Sequence, residues 1–230
     1  MTNAGADGRS QVLAAVRSAL RREAGAAEPA GVRQRLEQPL ANTVPARGRL
    51  QQPELTELFV AEALRAGASV AKVARIEDVP SAVATFCAEH ALPATAVMAE
   101  ASPLQNLSWQ ASGVSSEGRL VRSGDALAVG AAVAGIAETG TLVMLSGPEN
   151  PVTANFLPEN HLVVVHARDL LGASEDLWAM LRERGLPLPR TVNWITGPSR
   201  SGDIEMTMLM GAHGPIRLHV VVVEAAAAAE

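Results

Sequence analysis

Three short polar turns hold the residues best suited to chemistry in this chain. The first is Glu138-Thr139-Gly140-Thr141, one carboxylate and two hydroxyls around a glycine. The apolar run Leu142-Val143-Met144-Leu145 follows it, so the glycine marks a tight bend into a buried strand. Apolar Gly135-Ile136-Ala137 precedes the turn. A carboxylate between two apolar segments must be paired, hydrogen-bonded or placed at a cleft mouth. Glu138 is therefore a candidate base or a group that orients a ligand hydroxyl, with an ion pair to Arg200 as the structural alternative. Thr139, Gly140 and Thr141 are candidate ligand contacts beside it.

The second turn is Thr196-Gly197-Pro198-Ser199-Arg200-Ser201-Gly202-Asp203, after an apolar strand. Gly197 permits close backbone approach, and the N–H groups beyond Pro198 suit an anion. Arg200 adds a planar fork that matches a carboxylate or phosphate. The competing structural reading has Ser199 or Ser201 capping a turn and Asp203 paired with Arg200. The third turn, Gly211-Ala212-His213-Gly214-Pro215, holds an imidazole between glycines. His213 is a candidate acid or base and Gly214 a close-approach position; a backbone-bonded structural histidine is the alternative. His161 leads a buried strand and reads as structural. Glu138, His161 and His213 are too far apart in sequence for their spacing to define a metal site. The three turns are expected to converge on one cleft.

Composition narrows the classes. The 230 residues are 48% hydrophobic and 19% charged, enough for one large globular domain with an appendage. A net charge of -5 gives no general attraction to nucleic acid or anionic membranes. The single cysteine, Cys87, cannot complete an iron–sulfur cluster or a disulfide within the chain, and it reads as a core thiol. No apolar leader or membrane-length run is present, so a cytoplasmic location is expected.

The elements that must hold the turns follow from periodicity. A helix is expected over residues 11–22, then an extended linker through residue 52. From Pro53, helical patterns alternate with strands over 69–74, 94–99, 127–130, 142–145, 162–165, 191–196 and 216–223. Leu55, Leu58, Phe59 and Leu64 are expected to face inward from the helix opened by Pro53. Residues 101–124 show no order. The pattern predicts an α/β domain over 53–224 with an open, mainly parallel three-layer sheet, an arm over 1–52 and an alanine-rich tail over 225–230. Ligands of such sheets sit outside the carboxyl ends of strands, where the 191–196 strand delivers Gly197 and Arg200.

Four segments in order, Ala137-Glu-Thr-Gly-Thr-Leu-Val, Leu157-Pro-Glu-Asn-His-Leu-Val-Val-Val, Thr196-Gly-Pro-Ser-Arg-Ser-Gly-Asp-Ile-Glu and Gly211-Ala-His-Gly-Pro, resemble the LUD-domain family, in its lactate utilization protein C branch. The resemblance covers residues 53–223 and extends to the N-terminal helix. Ser201-Gly202 replaces the family's usual Thr-Ala, and Ala212 a common Val. The resemblance implies a fold like that of CoA transferases and ribose-phosphate isomerase. It also implies a part in oxidising L-lactate to pyruvate beside separate iron–sulfur subunits, without specifying a cofactor. Two other readings stay open: an acyl- or CoA-transferase-like enzyme with Glu138 as nucleophile, and a non-catalytic assembly subunit.

Overall fold

The computed structural model describes residues 4–21, 30–38, 43–185, 189–202 and 208–224. They form two compact units, residues 1–42 and 43–230. The first unit holds two helices, α1 (Ala4–Ala19) and α2 (Ala30–Glu37). The linker expected from the sequence therefore contains a helix. Arg33, Gln34, Arg35, Leu36 and Glu37 are all good helix formers, and propensity decides here without an apolar period. Val12, Leu13, Val16 and Leu20 of the first unit are exposed.

In the second unit, α3 (Glu54–Arg65) buries Leu55, Phe59 and Ala63, one helical face at fourfold spacing. Leu64 is 53% exposed, so the inward position expected for it belongs to the small Ala63. Acidic Glu54 and Glu57 fall in the first turn and Arg65 in the last, which complements the helix dipole. The strands are β1 (Ser69–Val73), β2 (Thr95–Met98), β3 (Ser115–Gly118), β4 (Leu127–Ala131), β5 (Ala134–Ile136), β6 (Thr141–Leu145), β7 (Asn160–His166), β8 (Leu170–Leu171), β9 (Val192–Ile195), β10 (Arg200–Gly202), β11 (Met208–Met210) and β12 (Arg217–Val223). Helices α4 (Val79–Glu89) and α5 (Ser174–Glu183) complete the unit.

Six strands form a wholly parallel sheet in the order β1-β12-β7-β4-β2-β3. Alternate residues of its valine-rich central strands enter two different cores, as burial on both faces requires. Leu162, Val164, Val221 and Val223 pack with Val83, Phe86 and Cys87 of α4. Val163, Val165, Val220 and Val222 pack with Phe59 of α3 and with Leu142 and Met144 of β6. Burial raises the pKa of the Cys87 thiol, as befits a core cysteine.

A second, mixed sheet in the order β8-β5-β6-β9 shares the α3 layer, and α5 covers it through Leu177 and Leu181. Strands β10 and β11 pair as an antiparallel ribbon. Residues 101–124, unordered in the sequence reading, are held by side chains. Trp109 is buried and its indole N–H donates to the Leu104 carbonyl at 2.8 Å. Arg119 grips both oxygens of Asp125 at 2.8 and 2.9 Å.

Gly48 packs against the backbone of Gly172, so the larger unit includes the chain from Thr43 onward. Deleting residues 1–42 is expected to leave one cooperative melt, with the midpoint moved by less than about 4 °C, the equivalent of about 1 kcal/mol at this size. Loss of cooperativity would show that the first unit completes the core.

Candidate functional site

The first polar turn closes the β5–β6 hairpin, in which Ile136 pairs with Thr141. Gly140 adopts φ +64°, and a β-carbon there would overlap the α3 backbone at Glu62 and Ala63. The turn therefore lies directly on the last turns of α3, a seat open only to glycine. Thr139 and Thr141 share a hydroxyl hydrogen bond of 2.7 Å, and Thr141 shares another with Thr196 at 2.6 Å. Three hydroxyls thus run in a chain from the hairpin to the end of β9. The Glu138 carboxylate is 9% exposed, and Oε1 accepts from the Ser174 hydroxyl at 3.5 Å. Its backbone N–H donates to the Gly172 carbonyl at 3.2 Å. Among the described residues it makes no ion pair with Arg200.

The second and third turns are tied together. Ser199 N–H donates to the Pro215 carbonyl at 2.9 Å, and Gly211 N–H donates to the Ser199 carbonyl at 3.0 Å. The Ser199 hydroxyl accepts the His213 N–H at 3.4 Å. A β-carbon on Gly214 would stand 3.4 Å from that of Ser199, so the two chains are in van der Waals contact. Gly197, at φ +69°, sits against the Ala66 carbonyl, and Arg200 lays its guanidinium over Gly67, where any β-carbon would overlap it. The exposed Arg200 side chain has no hydrogen bond or ion pair to another described residue. His213 is also exposed. Asp203 lies outside the described residues.

These contacts fix the position of the cluster in the fold. Gly67 leads directly into β1, and Pro215 leads into β12. Ser199, Arg200, His213 and Gly214 therefore gather at the amino-terminal edge of the parallel sheet. The sequence reading placed Thr196 and Gly197 at the carboxyl end of a strand in an open parallel sheet. That strand, β9, belongs to the mixed sheet and runs antiparallel to β6. The cluster joins a guanidinium with no partner among the described residues, the exposed residue Thr196 and an exposed imidazole. Such a set can hold a small anion by charge-assisted hydrogen bonds. Glu138 directly precedes the threonine chain, and its own carboxylate accepts from Ser174.

A second group of polar residues surrounds His161, which the sequence marked as structural; its asparagines were not singled out. Asn160 is fully buried; it donates to the Ala126 carbonyl at 2.6 Å and accepts from Arg217 at 3.1 Å, stitching β7 to its neighbours. His161 and Asn155 are 1% and 2% exposed, and no side-chain nitrogen or oxygen of either has a hydrogen-bond partner among the described residues. Burial pushes His161 down to about 4, so its ring is neutral at neutral pH. The signal available for the asparagines was their density from the loop after β6 to the first residue of β7, at Asn150, Asn155 and Asn160. Among the described residues no group of three or more His, Cys, Asp or Glu side chains is arranged to hold a metal.

Residues 125–223 match the LUD domain family, and this is the stretch that contains all three turns. Over this stretch the chain is similar to that family. It is similar to lactate utilization protein C from Geobacillus thermodenitrificans, 36% identical over 91 residues, which is 38% of this chain and 38% of that protein. The protein of the same name from Bacillus subtilis is 31% identical over 91 residues, with the same coverage of both chains. That from Exiguobacterium sp. is 37% identical over 93 residues, 39% of this chain and 40% of its own. The chain thus matches about two-fifths of the length of these relatives. A DUF162 family protein from Deinococcus radiodurans shares the fold, with a TM-score of 0.56 at 20% identity over 76% of this chain and 99% of that one.

Proposed function

We propose that this chain is a component of an L-lactate utilisation system, acting in the cytoplasm. It binds a small carboxylate or phosphate at the cluster of Thr196, Ser199, Arg200, His213 and Gly214. Converting L-lactate to pyruvate releases two electrons and two protons. The electrons pass to separate iron–sulfur subunits, since the single cysteine of this chain cannot hold a cluster. The names of the relatives support the system, and one structural observation supports the site: an arginine fork with no described partner, laid over Gly67 beside the Ser199–His213 turn. Glu138 has a structural part here, tying the hairpin to the start of α5. Among the described residues no helix is long and apolar enough to cross a membrane.

Arg200→Lys keeps the charge but removes the fork. Charge-assisted hydrogen bonds contribute about 1.5–3 kcal/mol each, so phosphate or L-lactate should bind roughly tenfold more weakly or worse. The melting temperature without ligand should barely move, because the side chain is exposed and has no partner among the described residues. Thermal shift titrations of parent and variant with each anion measure both quantities. Equal protection of the two proteins would reject the clamp.

A further inference from the structure

The six-stranded sheet reverses its build order at one place. From β2 the chain adds β3 on one side, whereas β4, β7 and β12 extend the sheet on the other. Strands β2 and β4 flank this switch and register through one pair, Val97 with Ala128. They part above it. Open α/β sheets take ligands in the crevice outside the carboxyl ends of the strands at such a point. Here the crevice is a cavity of about 430 Å³, within the size range of small-molecule sites. Pro103 from the loop after β2, Ala131 and Ala132 from the exit of β4, and Leu145 from the end of β6 give it apolar walls.

Its polar side comes from the turn after β6. Gly147 and Asn150 exchange backbone hydrogen bonds at 3.3 and 3.2 Å. Asn150 is 8% exposed and donates Nδ2 to the Leu145 carbonyl at 3.1 Å, which orients the amide and leaves Oδ1 without a described partner. Behind it lies bare Gly130. A β-carbon there would stand 4.0 Å from Asn150 Oδ1 and 3.4 Å from the unpartnered His161 Nε2. Glu149, exposed on the same turn, is the charged residue of the lining. The Glu149 carboxylate in the lining repels anions, and the Asn150 amide beside it offers an acceptor to a hydrogen-bond donor.

We propose that this crevice is a second ligand site, at the opposite edge of the sheet from the arginine cluster. It takes a small uncharged molecule with an apolar ring face and a hydrogen-bond-donating edge, held by Asn150 Oδ1 and screened by Glu149. The two sites thus divide their ligands by charge.

Benzamide and benzoate form the test pair, with one ring and opposite polar edges. Each is titrated into the full chain while the amide resonances of Ala131, Ala132 and Val133 are followed by NMR, so that benzoate bound at Arg200 is not counted. Benzamide is expected to bind at least about fivefold more tightly than benzoate, roughly a 1 kcal/mol difference. Glu149→Gln, an exposed change that leaves the fold alone, should narrow that ratio about twofold or more. Ala132→Phe, with its fold checked by a cooperative melt, should abolish both titrations. Equal affinities, no perturbation of these amides by either probe, or an unchanged ratio in Glu149→Gln would each overturn the proposal. So would benzamide binding that survives in a folded Ala132→Phe variant.

Discussion

Gly140→Ala should cost the protein about 2–5 kcal/mol. Two causes add. The residue adopts φ +64°, a left-handed backbone that costs a residue with a β-carbon about 1–2 kcal/mol. The new carbon would also overlap the α3 backbone at Glu62 and Ala63, and forcing a packed element aside costs typically about 1–3 kcal/mol. A flexible side chain could yield; a helix backbone holding Phe59 in the core cannot do so without loss. Gly147→Ala is the control, since nothing lies within 4 Å of its β-carbon position, and it should change stability by less than about 0.5 kcal/mol. Urea denaturation measures both. A loss below about 1 kcal/mol for Gly140→Ala would mean that the hairpin can lift from α3 freely.

The second large effect is acid sensitivity. His161 and His219 are both buried and both pushed from 6.5 to about 4, His161 by burial alone and His219 by burial and then by the nearby His90 charge. Each ring is neutral in the fold and takes up a proton more readily when unfolded. Stability is therefore fully present above pH 6.5 and is lost as the pH falls toward 4. A shift of about 2.5 pH units corresponds to about 3 kcal/mol per histidine over that window. His219 keeps one partner, its Nδ1 lying 2.7 Å from the Ser69 hydroxyl, whereas His161 has none among the described residues. His161→Leu should remove its share, leaving a variant whose stability falls by about 3 kcal/mol less between pH 6.5 and 4 than the parent's. Parallel stability curves for parent and variant would show that His161 titrates normally.

The parallel sheet was legible because its strands announce themselves: Leu162-Val163-Val164-Val165 and Val220-Val221-Val222-Val223 are apolar at every position, as only strands buried on both faces can be. The likeness to the LUD domain family was legible in the four polar segments. What escaped was the second sheet and its direction. The Thr191–Thr196 segment reads as a strand with a glycine turn after it whether it runs parallel or antiparallel to its neighbours. Its pairing with β6 is a long-range fact that no local pattern encodes. That one reversal moves Ser199, Arg200 and His213 to the amino edge of the main sheet. The partner of Glu138 was hidden for the same reason, since Ser174 lies 36 residues away and was not weighed against Arg200. Leu64 misled because α3 needs a small residue, Ala63, where the hairpin presses on it.

The central claim is that residues 196–200 and 211–214 form an anion site for lactate chemistry. A titration of the isotopically labelled chain with L-lactate, read amide by amide, tests it most directly. Saturable shifts at Gly197, Ser199, Arg200, His213 and Gly214, reduced in Arg200→Lys, are the predicted result. Shifts confined to other parts of the fold, or none at concentrations where phosphate also gives none, would contradict it.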